Sequence, residues 1–112
     1  MPQQDRLREL VEKVESGSFC TIADAASEFD LSPSYLQHLF KTHTGFPLGR
    51  RLAERRLDKA ALLLMHSGMS VKEVAYAVGY KHPSSFVRAF RRCFQQVPGD
   101  YRQEMLTKSK FG

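Results

Sequence analysis

Residues 70–80 have the sequence SVKEVAYAVGY, which predicts a short capped helix followed by a tight turn. Ser70 and Glu73 have the spacing of a capping box, in which each side chain accepts a hydrogen bond from the other residue's backbone N–H. Gly79 is placed to adopt the left-handed conformation that ends a helix, and Pro83 favours the first turn of the next helix. The residues that should face inward are Val71, Val74, Ala75 and Val78.

The same pattern occurs earlier in the chain. Residues 21–31, TIADAASEFDL, align with residues 70–80 at an offset of 49, and Thr21 with Asp24 resembles the capping box. Each copy predicts a helix-turn-helix. A single helix-turn-helix pattern is common in helical proteins, so the repeated pattern is much stronger evidence for DNA recognition than one copy. Beyond the turn the offset becomes 50, and the aligned pairs are Pro33 with Pro83, Leu36 with Phe86, His38 with Arg88, Phe40 with Phe90 and Lys41 with Arg91.

Residues 47–66, PLGRRLAERRLDKAALLLMH, predict one uninterrupted helix between Gly45 and Gly68. About twenty residues at about 1.5 Å each give roughly 30 Å, comparable with the roughly 34 Å between successive turns of the major groove. We therefore interpret this segment as a linker of defined length. Its apolar residues at helical spacing are Leu52, Leu57, Ala60, Ala61 and Leu64.

The remaining segments also predict helices. Residues 4–15 have apolar residues at the i, i+3, i+4, i+7 spacing, and a last helix should begin near Pro98. Tyr101 is expected to pack on the aromatic stripe of the preceding helix, while Met105 to Gly112 should be frayed. The stripe consists of Phe86, Phe90 and Phe94.

No segment has the period-two alternation of a strand, so the expected fold is all-α with about seven helices. We expect one DNA-binding domain over 1–112, in a homeodomain-like tandem arrangement. Its expected parts are lobe one over 4–45 with its helix-turn-helix at 21–43, the linker helix at 47–66, and lobe two over 70–106 with its helix-turn-helix at 70–94.

Composition narrows the classes of function. The 112 residues include 17 Lys and Arg against 12 Asp and Glu, a net charge of +5, which suggests an anionic partner. No nucleophile–base pair, HExxH motif or metal-ligand spacing is present, so we expect neither an enzyme nor a cofactor. Cys20 and Cys93 are expected to be buried or half-buried thiols. With no hydrophobic signal region and no membrane-spanning run, the sequence predicts a cytoplasmic protein.

Several motifs together resemble one family. They are SPSYLQHLFKTHTG, RLDKAALLL, SVKEVAYAVGY, SSFVRAFRRCF and PGDYR. The chain from about Leu7 to Arg102 resembles the DNA-binding domain of the AraC/XylS family of bacterial transcription regulators. The resemblance implies two lobes, each placing its second helix in the major groove of double-stranded promoter DNA, and an activator that also contacts RNA polymerase, bound at the nucleoid.

Two sets of DNA-contacting residues are expected. Gln37 can form paired hydrogen bonds with adenine, Arg88 with guanine, and Val87 can pack on a thymine methyl. The positions that match the family's base-contacting ones are Ser34, Gln37, His38, Ser84, Ser85, Val87 and Arg88. The expected phosphate-contacting residues are Lys41, Arg50, Arg51, Arg55, Arg91 and Arg92, for which the alternative is a solvated or locally paired side chain. Arg56 has two open roles, bracing the lobes or contacting DNA.

Four residues depart from the family pattern, namely Gln95, Val97, Arg51, which replaces a frequent aromatic residue, and Ser34, a small side chain at a base-reading position. Gln95 replaces a usual glycine and Val97 replaces a capping Ser or Thr, which predicts a less well formed junction before the last helix. Two questions of function also stay open. The alternative function is a helical protein–protein interaction module that does not bind DNA. The chain has no room for an effector-binding or dimerisation domain, so it is either a single-domain regulator or a fragment of a larger one.

Overall fold

The computed structural model describes the backbone of residues 2–19 and 21–111 and the side chains of residues 5–19 and 21–108. All regular structure in these ranges is helical, which confirms the all-α class. The seven helices are α1 (Pro2–Glu15), α2 (Ile22–Phe29), α3 (Pro33–Thr44), α4 (Leu48–His66), α5 (Val71–Ala77), α6 (Pro83–Phe94) and α7 (Pro98–Phe111).

The helices form two compact units, the first ending at Arg55 and the second beginning at Arg56, so the boundary falls within α4. Each unit has its own hydrophobic core, to which one part of α4 contributes. The buried core of the first unit consists of Leu10, Val14, Phe19, Ala25, Ala26, Phe29, Leu36, Phe40, Leu48 and Leu52. That of the second consists of Leu57, Ala60, Ala61, Leu64, Val74, Ala75, Val78, Phe86 and Phe90.

The internal repeat is visible in the helix caps. Both predicted capping boxes form: Thr21 Oγ1 accepts from Asp24 N at 3.1 Å, and Ser70 Oγ accepts from Glu73 N at 3.1 Å. In return the carboxylate of Glu73 accepts from Ser70 N at 3.0 Å, and this bond to the backbone lowers the pKa of Glu73. The two short helices α2 and α5 are therefore started by the same local chemistry.

Left-handed residues end the helices at matching positions of the two copies. Asp30 has φ 54° and Gly79 has φ 97° after the first helix of each motif, as predicted. Gly45 has φ 83° and Gln95 has φ 60° after the second helix. Each motif therefore contains one glycine and one non-glycine residue in this conformation, which favours glycine.

The junction before α7 differs from the prediction. Gln95 takes the left-handed conformation despite its side chain, and its backbone N–H donates to Arg91 O at 2.8 Å. Tyr101 N donates to Val97 O at 3.0 Å, so the first turn of α7 forms without a capping hydroxyl at Val97. The junction thus forms with backbone hydrogen bonds at both helix ends, but Gln95 occupies the left-handed conformation that a glycine would adopt without steric cost.

Three further expectations need correction. The central helix begins at Leu48, and the carbonyl of Pro47 accepts its first hydrogen bond, from Arg51 N. The helix α7 continues to Phe111 rather than fraying after residue 105, and an ion pair of 2.9 Å between Lys108 and Glu104 spans one of its turns. Cys93 is exposed, because Phe90 and Phe94 take the inward positions of α6. Cys20 lies outside the described residues.

Candidate nucleic-acid interface

The second helix of the first helix-turn-helix motif is α3. Ser32 caps it, with Oγ accepting from Tyr35 N at 3.2 Å, and Pro33 occupies its first turn. Leu36 and Phe40 are fully buried in the first unit, which fixes the side of α3 that faces the core. The residues away from this side face solvent, and four of them are exposed polar side chains. They are Ser34, Gln37, His38 and Lys41.

The second helix of the second helix-turn-helix motif is α6. Its cap residue His82 makes no side-chain hydrogen bond, so the start of α6 depends more on Pro83 and on packing than that of α3 does. Phe86 and Phe90 are fully buried on its inner side. The exposed members of the predicted set are Ser84, Arg88, Arg91 and Arg92, whereas Ser85 and Val87 are half-buried. Val87 also packs against the core of the second unit, which restricts how far it can reach toward a base.

A chain of aromatic rings positions α6. The Phe86 ring lies 5.5 Å from Tyr80 and 5.7 Å from Phe90, measured between centroids. Phe90 stacks on Phe94 at 4.4 Å, and Tyr101 of α7 packs edge-on against Phe90 at 5.3 Å, as the sequence predicted. Aromatic contacts along the whole inner side of the helix hold its polar side chains in a defined orientation.

Arg56 belongs to this aromatic assembly. Its guanidinium carbon lies 4.8 Å from the centroid of the Tyr80 ring, a cation–π geometry within the second unit. Tyr80 in turn contacts Phe86, so Arg56 acts on the turn that precedes α6. Of the two roles open for Arg56, this contact favours an internal bracing role, here within one unit.

Arg102 is a structural residue that sequence reasoning missed. Its Nε donates to Leu64 O at 2.8 Å and its Nη2 donates to Met69 O at 2.5 Å. The same side chain thus satisfies a carbonyl in the last turn of α4 and a carbonyl in the segment that leads to α5. The only signal in the sequence was its place in the PGDYR motif.

The exposed cations of α3 and α6 have no ion-pair partner among the described side chains. Within the part of the chain whose side chains are described, Lys41, Arg88, Arg91 and Arg92 take part in no ion pair. Their charges therefore remain available to an anionic partner in solvent.

The predicted phosphate-contacting residues of α4 have a different environment. Arg51 donates to both carboxylate oxygens of Glu15, at 2.6 and 2.5 Å, and to Glu54 at 2.7 Å. Arg55 lies 3.9 Å from Glu15, and Arg50 lies 3.5 Å from Glu54 with 77% of its side chain exposed. The hydrogen bonds from Arg51 hold the pKa of Glu15 below its usual range. Arg51 and Arg55 thus neutralise carboxylates of their own unit, which argues against phosphate contacts, while Arg50 stays accessible.

Two polar helices on apolar cores, each entered through a short capped helix and a tight turn, define the class of helix-turn-helix proteins. A helix-turn-helix domain family matches residues 25–104. The chain belongs to this family, in its AraC-type branch of DNA-binding transcription regulators.

Individual relatives of the chain are also helix-turn-helix transcription regulators. The chain is 41% identical over 73 residues to the HTH-type transcriptional regulator GlxA of Rhizobium meliloti (strain 1021), covering 65% of this chain and 22% of the relative. It is 44% identical over 78 residues to the HTH-type transcriptional activator RhaS of Salmonella arizonae, covering 70% of this chain and 28% of the relative. The chain therefore spans only about a quarter of the length of these curated relatives.

Among solved structures, the DNA-binding domain of the global transcriptional factor AdpA, in complex with a target DNA, is similar over 95% of this chain and 97% of that domain. The two share 26% identity, and the TM-score is 0.78. Because the named relatives are transcription regulators, the prediction that the chain is not an enzyme is confirmed. Among the described helices, none is long and apolar enough to cross a membrane.

Proposed function

We propose that this chain binds double-stranded promoter DNA in a sequence-specific manner and thereby regulates transcription. The observation that supports the proposal best is the pair of equivalent helices α3 and α6, each with buried apolar residues on one side and unpaired polar or basic side chains on the other. Such a helix fits the major groove, where base edges present donors and acceptors. The related AdpA domain was solved in complex with a target DNA, which supports DNA binding by a domain of this fold.

The proposed base contacts lie on the exposed sides of α3 and α6. Arg88 is assigned to guanine, because its guanidinium can donate to the two acceptors of that base in one plane. Gln37 is assigned to adenine, with which it can form paired hydrogen bonds. Supporting contacts are assigned to Ser34, His38, Ser84, Ser85 and Val87, of which the half-buried Ser85 and Val87 would contact DNA only at close approach.

The proposed phosphate contacts are made by Lys41, Arg91, Arg92 and the exposed Arg50. Arg51 and Arg55 are left out of this set, because they neutralise Glu15 within the first unit. Phosphate contacts raise affinity for any sequence, whereas base contacts raise it for the target alone. The two sets of residues should therefore differ in how their loss affects specificity.

A binding experiment with two variants tests these roles. Target sites are first selected from a random duplex pool, and affinity is then measured across a salt series. Arg88→Ala should weaken target binding by about 1–3 kcal/mol and relax selectivity at one base pair, whereas Arg91→Ala should weaken target and random DNA alike. The proposal fails if Arg88→Ala lowers the affinities for target and random DNA equally, as Arg91→Ala should. It also fails if the affinity of the parent protein for DNA hardly falls as salt is raised.

We further propose that the two helices contact successive major-groove segments and that the protein activates transcription through RNA polymerase. The support is the repeated motif and the similarity to RhaS, which is a transcriptional activator. Inserting about five or about ten base pairs between the two half-sites should sharply reduce affinity in both cases, because a linker helix of roughly 30 Å spans one turn of DNA and not two. An effector-binding or dimerisation domain would have to lie in further sequence, and a promoter that the protein represses would contradict the activator role.

A further inference from the structure

The first unit contains an open apolar pocket. Its volume is about 220 Å³, and it lies between α1, the end of α2 and α3. The pocket exceeds the roughly 150 Å³ apolar cavity that accommodates benzene in another protein, so it can hold a short hydrocarbon group. Its lining residues are Arg6, Leu7, Leu10, Phe29, Leu31, Tyr35 and Leu39.

The polar side chains that line this pocket are hydrogen-bond donors. Arg6 and Tyr35 are its two polar lining residues, and both can donate hydrogen bonds, whereas none of the lining residues is acidic. Arg6 donates to the carbonyl of Phe29 and lies 5.8 Å from the Phe29 ring, which places the guanidinium at the end of α2. Among the described carboxylates it has no ion-pair partner. Its remaining donors can therefore bind an external anion.

We propose that this pocket binds a small amphipathic carboxylate. The hydrocarbon part would lie among Leu7, Leu10 and Leu39, and the carboxylate would accept hydrogen bonds from Arg6 and from the Tyr35 hydroxyl. A neutral alcohol of equal length would make the same apolar contacts but could accept only a weaker hydrogen bond that lacks the charge of the carboxylate, so it would bind more weakly. A cationic one would be repelled by Arg6.

The site is linked to DNA recognition through α3. Tyr35 and Leu39 line the pocket, whereas Gln37 and Lys41 on the same helix are exposed. A ligand in the pocket therefore contacts α3 on a different side from Gln37 and Lys41. Binding itself does not depend on the proposed function and can be measured on the DNA-free protein.

The test uses octanoate and 1-octanol, which share a chain length and differ in the head group. NMR titration of the full chain should show octanoate shifts at the methyl groups of Leu7, Leu10, Leu31 and Leu39, with octanol at least about tenfold weaker. Arg6→Gln should weaken octanoate about tenfold and leave octanol unchanged. Tyr35→Phe, which keeps the ring, should weaken octanoate binding by less than Arg6→Gln does and should leave octanol binding unchanged.

Arg8→Gln is the matched control, because Arg8 is an exposed arginine of the same helix and does not line the pocket. It should leave both affinities unchanged. The proposal is overturned if millimolar octanoate causes no shifts in the first unit, if Arg6→Gln and Tyr35→Phe leave octanoate binding unchanged, or if Arg8→Gln weakens it as much as Arg6→Gln. An apolar peptide that shifts these signals when octanoate does not would identify a protein docking site instead and would likewise overturn it.

Discussion

Arg51 of α4 and Glu15 of α1 form a two-point contact, with Nε 2.6 Å from Oε1 and Nη2 2.5 Å from Oε2 of the carboxylate. The contact joins two helices of the first unit across 36 positions of sequence. Glu54 also accepts from Arg51, at 2.7 Å, so one guanidinium serves two carboxylates. An arginine expected to contact DNA is thereby part of the internal structure of the first unit.

The pH dependence of stability should reveal this contact. The hydrogen bonds from Arg51 lower the pKa of Glu15 in the folded protein. The contact therefore stabilises the protein fully above the ordinary carboxylate pKa of about 4.5, and this stabilisation is lost as pH falls through the lowered folded value. Urea unfolding of Glu15→Gln should show less loss of stability between about pH 5 and pH 3 than the parent.

The expected difference is modest, at most about 1 kcal/mol, because 39% of the Glu15 side chain is exposed and solvent screens the pair. Glu12→Gln is a suitable control, since Glu12 lies on the same helix and is exposed. Identical acid profiles for the parent and Glu15→Gln would show that the contact contributes nothing in solution.

Salt dependence should separate structural from DNA-contacting arginines. Replacing Arg91 by Ala should reduce the slope of log affinity against log salt by about 0.9, the value for one lost phosphate contact. Replacing Arg51 by Gln should leave the slope unchanged, because its charge is already balanced by Glu15 and Glu54. A slope reduced equally by both substitutions would restore Arg51 to the phosphate-contacting set.

Gln95→Gly should stabilise the second unit. Gln95 has φ 60°, a conformation that costs a non-glycine residue about 1 kcal/mol, and glycine would remove that cost. The loss of the exposed 3.2 Å bond from Gln95 Nε2 to Arg92 O should offset little of the gain. Thermal unfolding should shift upward by several degrees.

The reverse substitution in the first unit, Gly45→Gln, is the matched control. Gly45 has φ 83°, and a Cβ added there would meet nothing within 4 Å, so any loss of stability reports backbone strain rather than a clash. We expect destabilisation of about 1 kcal/mol. Unchanged unfolding temperatures in both variants would contradict the assigned cost of the left-handed conformation.

The contact between Arg56 and Tyr80 can be measured with a double-mutant cycle. Arg56→Gln removes the cation above the ring, and Tyr80→Leu removes the ring. We expect a coupling energy of about 0.5–1 kcal/mol, and Tyr80→Phe should preserve most of the coupling because it keeps the aromatic face. A coupling energy near zero would mean that the two side chains are neighbours without a mutual interaction.

Much of the fold was predictable from sequence, because local chemistry determines it. The capping boxes at Thr21 and Ser70, the left-handed turns at Asp30 and Gly79, and the apolar spacing of α4 each depend on residues a few positions apart. Two copies of these signals were enough to predict the helix-turn-helix class and the exposure of the polar side chains on α3 and α6. Which of those side chains contact bases stays a prediction, since its test requires DNA.

Only the tertiary structure decided how individual charged side chains are used. The sequence by itself determined that α4 is a basic helix, but not that Arg51 meets Glu15, that Arg56 lies over Tyr80 or that Arg102 meets Leu64 O. Nor did it indicate the pocket beside Arg6. The physical reason is distance along the chain: backbone conformation follows from neighbouring residues, whereas the partner of a long side chain depends on which distant helices pack beside it.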